Sequence, residues 1–263
     1  MLSFAREMRL LGLGIVVLAV SACTTVKNPS PTDPLEGFNR SMDSFNQVVD
    51  RVALKPAAQG YNAVVPEEIR GCVTNFFANL DDVASSLNNL LQLKPKRAFT
   101  DMCRVVLNST VGLLGLVDVA TQFGIERTNE DFGQTLGYWG VGPGPYLVVP
   151  FLGPSSVRDL PARFVDSQVD PLSNHEPVDE RVVATAVDVV DTRARLIPAT
   201  DLVDRVALDK YSFVRDAFLA RRASQIRDGK PDAADREFDD GPESAPNGAP
   251  SASQDSSAVP AAK

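Results

Sequence analysis

PEEIRGCVTNFFANLDDVASSLNNLLQLKP, residues 66–95, is the stretch that decides the fold class. Pro66 suits the first position of a helix, and Glu67 and Glu68 place negative charge in the first turn, where the helix dipole favours it. Ile69, Val73, Phe76, Leu80, Val83, Leu87 and Leu91 then recur at three- and four-residue steps, which puts them on one face of a helix that ends before Pro95. Asn75, Asn79, Asn88 and Asn89 flank that stripe. They fit either of two arrangements: capping and packing amides on a solvent face, or a helix with lipid on one side and a hydrated channel on the other.

The same period runs outward in both directions. Phe38, Met42, Phe45, Val49 and Val52 mark one face of an earlier helix. A later one starts near Arg97 and runs through Phe99, Met102, Val106 and Leu107, and Val111 to Ala120 is almost wholly apolar. Two more helices are predicted over about 179–196 and 208–226. Strict alternation with period two is nearly absent, so the chain reads as mainly α and a sheet-based fold is not expected.

One segment breaks the pattern. DFGQTLGYWGVGPGPYLVVPFLGP, residues 131–154, carries Gly137, Gly140, Gly142 and Gly144 among several prolines, with Tyr138 and the only tryptophan, Trp139. Glycine and proline at this density exclude a long regular helix. The segment is nevertheless apolar and aromatic, which a loop facing water rarely is.

The N-terminus is a leader. Arg6 and Arg9 precede an apolar run, LLGLGIVVLAV at 10–20, about half the 20 residues that a membrane-spanning helix needs. Ser21 and Ala22 then stand directly before Cys23, the pattern of a lipoprotein signal peptide over 1–22 with cleavage before Cys23. Acyl chains on that cysteine would each contribute about 0.8 kcal/mol per buried methylene, enough for durable anchoring. Thr24, in place of the Asp that retains lipoproteins in the inner membrane of enterobacteria, favours the outer membrane. Residues 23–33 form a polar tether, 34–228 hold nearly all the aromatic and branched apolar residues, and 229–263 form an acidic tail without the makings of a core, expected to be disordered. The formal net charge is -8, and loss of two Arg and one Glu with the leader makes the remainder one unit more negative. Such a chain is a poor partner for nucleic acid, and it would meet a membrane through apolar faces and acyl chains.

No catalytic constellation emerges. A single histidine, His175, in the polar turn SNHEP, gives no metal site and no triad, and no cofactor-binding motif is present. Asp118 is a lone acid within an apolar run, read either as a cap or ion-paired group or as polar lining of a lipid path. Cys72 and Cys103 remain once Cys23 is acylated, and an exported chain meets an oxidising compartment, which makes a disulfide between them conceivable. In a straight antiparallel hairpin turning near Pro95, however, they would stand about 22 Å apart at 1.5 Å per residue, well beyond the roughly 7 Å that a disulfide spans.

Taken in order, DPLEGFNRSMDSFN (33–46), VVPEEIR (64–70), NFFANLDDV (75–83), NNLLQ (88–92), RVVLNSTVGLLGLVDVA (104–120), the run DFGQTLGYWGVGPGPYLVVPFLGPSSVRD (131–159) and DTRARL (191–196) resemble the MlaA (VacJ) outer-membrane lipoproteins over about 33–228. The resemblance implies a flat ring of amphipathic helices in the inner leaflet of the outer membrane, enclosing a channel. Phospholipids misplaced in the outer leaflet leave through it to a soluble periplasmic carrier, the ring sits beside trimeric porins, and no bond chemistry or cofactor is involved. It also implies that the glycine-rich segment, with Gly137, Gly140, Gly142 and Gly144 beside Tyr138 and Trp139, shapes the channel. Many relatives have His where this chain has Tyr138, which counts against a titrating role there, and Leu160-Pro161-Ala162 stands where relatives often have glycines. Relatives often carry Pro near Asp81-Asp82, and a break there would fold the chain back and permit the Cys72–Cys103 bond. The alternative to a conduit is a membrane-attached scaffold that docks porin or carrier without passing lipid.

Overall fold

A computed structural model describes residues 33–230. The leader, Cys23, the rest of the tether before Asp33 and the acidic tail beyond Lys230 lie outside the described residues. Helix α1 (Glu36–Val49) passes through a widened π turn (Asp50–Leu54) directly into α2 (Lys55–Val64). Pro56 explains the π turn. Proline lacks the N–H that would bond four residues back, and its ring crowds that carbonyl, so a looser turn lets the rod continue. The stripe ending at Val52 therefore belongs to a longer helical run than its apolar spacing indicates.

α3 (Glu67–Leu91), with Pro66 as its N-cap, and α4 (Pro95–Thr110) form an antiparallel hairpin around the turn at Leu93. α3 runs unbroken through Asp81-Asp82, and Cys72 and Cys103 are free, half-buried thiols. The apolar segment after α4 is mostly turns, ending in the four-residue α5 (Val119–Gln122). α6 (Phe132–Tyr138) follows. Next comes a small antiparallel sheet, β1 (Tyr146–Val149) with β2 (Gly153–Ser156), in the register Tyr146 to Ser156 and Val149 to Gly153. α7 (Asp159–Val169), α8 (Val178–Val206) and α9 (Lys210–Ile226) complete the chain. α8 outlasts its predicted end because it continues through Pro198. Its distal half is tied down by ion pairs from Arg193 to Asp50 (2.5 Å) and Lys55 to Asp201 (2.8 Å), which compensate the bond that proline forfeits.

The apolar core of this unit is small: Tyr146, Val148 and Tyr211, with Met42, Phe218 and Leu219 against them. Two asparagines hold β1 on α1. The Asn39 amide donates to the Tyr146 carbonyl (3.0 Å) and accepts from Val148 N–H (2.9 Å). One heptad later Asn46 repeats the arrangement, donating to the Val149 carbonyl (3.0 Å) and accepting from Phe151 N–H (2.8 Å). The spacing fits because seven helical residues rise about 10.5 Å and three strand residues advance about 10 Å. Each asparagine thus stands in for a neighbouring strand, satisfying backbone groups that a two-stranded sheet leaves open. Asn39 is fully buried and also donates to Asp33 at 2.9 Å.

Two outcomes check this description. Asn39→Ala leaves buried backbone groups of β1 without partners and should destabilise the protein by about 2–4 kcal/mol, read as a shift of the denaturant midpoint at unchanged slope. Protein purified under oxidising conditions should titrate two thiols per chain after denaturation, with an intact mass unchanged by reductant; a mass gain of two protons on reduction would contradict the free-thiol geometry.

Candidate functional site

Burial here is inverted relative to a water-soluble fold. Among the described residues the fully buried side chains are mostly polar or charged, and the buried apolar ones include no leucine, isoleucine or methionine. Large apolar side chains face outward: Val52, Val64, Phe99, Phe123, Phe164, Val183 and Leu202 are among those exposed. Helix α3 shows the inversion. Asn79, Asp82, Ser85, Ser86, Asn88 and Asn89 are buried, whereas Ile69, Leu87 and Leu91 of the apolar stripe are exposed. Asn79, Asn88 and Asn89 are packing amides turned inward, bonded to Ser109, Asp166 and Asp101, while Asn75 is only half-buried. Loop tips follow suit. Leu93, Leu113, Leu114 and Phe151 all take positive φ and all point outward. That conformation costs a branched or bulky residue roughly 1–2 kcal/mol, and water alone gives no reason to keep such side chains there. Among the described residues no helix is long and apolar enough to cross a membrane.

Ion pairs and amides fill the interior. Arg104, 2 % exposed, donates through Nε to Asp82 (3.1 Å), through Nη2 to Asp118 (3.0 Å) and through Nη1 to Thr121 (3.0 Å) and the Ile125 carbonyl. Arg127 reaches the second oxygen of Asp82 at 2.5 Å. Asp101 gathers Ser85 (2.9 Å), Asn89 (2.8 Å) and Thr128 (2.6 Å) on one oxygen. Asp118 is both a cap and an ion-paired group: it accepts from Thr121 N–H (3.1 Å) at the start of α5 and pairs with Arg104. Burial pushes its carboxyl up, but the Thr121 hydrogen bonds and Arg104 outweigh that and hold it at about 2.

The glycine-rich segment docks on the same frame. Asp131 caps α6 through Gln134 N–H (2.8 Å), and Arg222 of α9 grips it with both terminal nitrogens, at 2.5 and 2.9 Å. Gly133 and Gly137 give α6 its close seat. A Cβ on Gly137 would lie 2.6 Å from Ile226 Cδ1, and one on Gly133 would lie 2.6 Å from Asp159 Oδ1. Gly140 and Gly144 have positive φ, turning the chain towards β1, while space around Gly142 is open. Trp139 donates from its indole to the Leu91 carbonyl at 3.3 Å and meets Phe132 edge-on, and Lys94 lies 5.0 Å over the Tyr138 ring. His175 pairs with Glu180 at the surface, 3.0 Å away.

An open cavity of about 580 Å³ lies elsewhere, between the α1–α2 rod, the end of α7 and the first half of α8. Its volume falls within the roughly 300–1,000 Å³ range of ligand pockets. Leu54, Val182, Ala186 and Val189 give it an aliphatic wall, while Ser167, Gln168, Ser173 and Arg181 supply polar groups. None of Asp118, Gly137, Tyr138, Trp139, Gly140, Gly142 and Gly144 lines this cavity. The lining comes from separate stretches of chain, each unremarkable alone; the Val182, Ala186, Val189 spacing was the one available signal.

Comparison with known proteins places the chain. The family model described as MlaA lipoprotein matches residues 31–225.

The chain belongs to the MlaA lipoprotein family.

Within that family it is similar to the intermembrane phospholipid transport system lipoprotein MlaA of Escherichia coli (strain K12), 34% identical over 215 residues that cover 80% of this chain and 85% of the other. A protein of Rickettsia bellii is 33% identical over 196 residues, 74% of this chain and 77% of that one. A solved structure from work on the structural basis for maintenance of bacterial outer membrane lipid asymmetry superposes with a TM-score of 0.66 at 35% identity, covering 74% of this chain and 98% of the other. The mainly α architecture is thus that of MlaA proteins.

The depressed Asp118 carboxyl sets a pH dependence. Its value of about 2 lies below the ordinary aspartate value of about 3.9, so the folded state favours the charged form. The stability it contributes is present above about pH 4 and disappears as pH falls towards 2. Asp118→Asn should flatten the acid-unfolding curve between pH 4 and 2, followed by circular dichroism; an unchanged curve would place the acid sensitivity elsewhere.

Proposed function

We propose that this protein is an outer-membrane lipoprotein that keeps phospholipids out of the outer leaflet. In this reading acyl chains on Cys23 anchor it on the periplasmic side, its helices lie in the inner leaflet as a ring, and phospholipids pass through a channel in the ring to a soluble periplasmic carrier. A trimeric porin serves as its neighbour in the membrane. The protein moves lipid and makes no covalent change to it.

The observation that carries this reading is the inversion of burial. A helix that lies at the membrane interface sinks its apolar face about 5–10 Å into the acyl boundary; α3 and α4 present Ile69, Leu87, Phe99 and Val106 outward while their polar faces meet each other. A phospholipid needs a wet path for its headgroup and an oily one for its chains. The cavity beside α8 offers both, with Arg181, Ser173 and Gln168 against Val182, Ala186 and Val189. The family's relatives named for intermembrane phospholipid transport give the direction of the proposal.

The test is outer-leaflet phospholipid exposure in cells lacking the gene, complemented by wild type, Cys23→Ala or Ala186→Trp. Exposure should rise on deletion and be corrected by wild type alone, with Ala186→Trp still folded and membrane-bound but inactive because its ring fills the cavity. Full activity of Ala186→Trp would reject the cavity as the path and favour the scaffold that only docks porin or carrier. Unaltered asymmetry on deletion would reject the whole assignment.

A further inference from the structure

The arginines inside this fold are nearly all committed. Arg104 has Asp82 and Asp118, Arg127 has Asp81 and Asp82, Arg158 has Asp159, Arg193 has Asp50, and Arg222 has Asp131 and Asp159. Arg181 is different. It lines the cavity beside α8, half-buried, and its one side-chain hydrogen bond among the described residues runs from Nη1 to the Ser173 carbonyl at 2.8 Å. Among the described residues no carboxylate stands within ion-pair distance of its guanidinium, and Asp170 is turned to the Leu172 and Ser173 N–H groups (3.0 and 3.1 Å) and the Ser173 hydroxyl (2.6 Å). A guanidinium has five N–H donors in a planar fork, matched to the oxygens of a phosphate. The Ser173 carbonyl takes one of its donors and leaves the rest without a protein partner among the described residues, in a cavity that is otherwise largely aliphatic.

From this placement we infer that Arg181 is the headgroup reader of the cavity: it binds the phosphodiester of a phospholipid whose acyl chains lie along Val182, Ala186 and Val189. The inference rests on the conduit reading above and adds to it a specificity-determining residue. Ser167 and Gln168, at the end of α7, sit at the polar end of the same cavity. Val182, Ala186 and Val189 share one face of α8 and Arg181 stands about 100° round the helix from them, so at the Val182 end a charge flanks an aliphatic strip about 10 Å long. That juxtaposition is what an amphiphile needs, and what an inorganic anion does not.

The probes are phosphatidylglycerol and diacylglycerol with identical acyl chains, and inorganic phosphate, each added to the full-length lipidated protein in detergent, with binding read by native mass spectrometry. Wild type should retain phosphatidylglycerol about tenfold better than diacylglycerol, the scale of a charge-assisted hydrogen-bond pair. Arg181→Gln should bring that ratio close to one without changing diacylglycerol binding, and Arg181→Lys should keep part of it. Inorganic phosphate should fail to displace the lipid. If Arg181→Gln keeps the wild-type ratio, or if inorganic phosphate binds alone and excludes lipid, the assignment of Arg181 is wrong while the conduit can stand. If wild type retains neither lipid, the conduit falls with it. An unfolded Arg181→Gln would be recognised by loss of diacylglycerol binding, and Arg181→Lys then decides by its retained ratio.

Discussion

The guanidinium of Arg104, held between Asp82 and Asp118, is the interaction on which the rest of the structure leans. It joins α3, α4 and the start of α5, whose buried apolar side chains are few, among them Phe77, Ala98 and Ala120. Desolvating a guanidinium and two carboxylates is costly, and a buried pair stabilises only when its geometry is good and its remaining donors and acceptors are occupied. Here they are. Thr121 and the Ile125 carbonyl take the other donors, Arg127 takes the second oxygen of Asp82, and Asn108 and Thr121 take the remaining lone pairs of Asp118. With so small an apolar core such a network must supply direction as well as cohesion, and hydrogen bonds do so more strictly than dispersion.

That choice of interior frees the apolar residues for the outside. A soluble helical domain spends its leucines on packing helices together; this one spends serine, asparagine and aspartate there and turns its leucines outward. The α3–α4 hairpin shows the exchange at close quarters. Ser86 bonds the Ala98 carbonyl, Ser85 and Asn89 converge on Asp101, and Asn79 meets Ser109, so short polar side chains let the helices approach. The adjacent outer faces carry Leu87, Phe99, Met102 and Val106.

Helices were legible in the sequence because periodicity survives inversion. A 3.6-residue repeat gives an amphipathic helix and the boundary between its faces, and the reading from Pro66 to the residue before Pro95 located α3 to within one residue at its start and three at its end. Periodicity does not carry the sign, that is, which face meets the interior, so the asparagines beside the stripe read equally well two ways until their burial was seen. Two helices run on past a proline: a π turn absorbs Pro56 and flanking ion pairs hold the stretch around Pro198, and neither compensation leaves a local trace. The hairpin at Tyr146–Ser156 went unread because YLVV is a short continuous apolar run without alternation, and its partners include Asn39 and Asn46, a hundred residues upstream. The cavity was illegible for the same reason: Leu54, Ser167 and Val182 are neighbours only in space. What Asp118 does, by contrast, was within reach, since a lone acid before Val119-Ala120-Thr121 is a cap in the making.

The outward leucines and phenylalanines have a consequence for the chain's life before it reaches a bilayer. Wet apolar surface costs about 25 cal/mol per Å², and here it belongs to the finished fold, not to an unfolded intermediate. Folding therefore does not end the molecule's exposure. A soluble protein is safe from aggregation once its core has closed; this one, fully folded, still holds Phe99, Phe123, Phe164 and Leu202 outward.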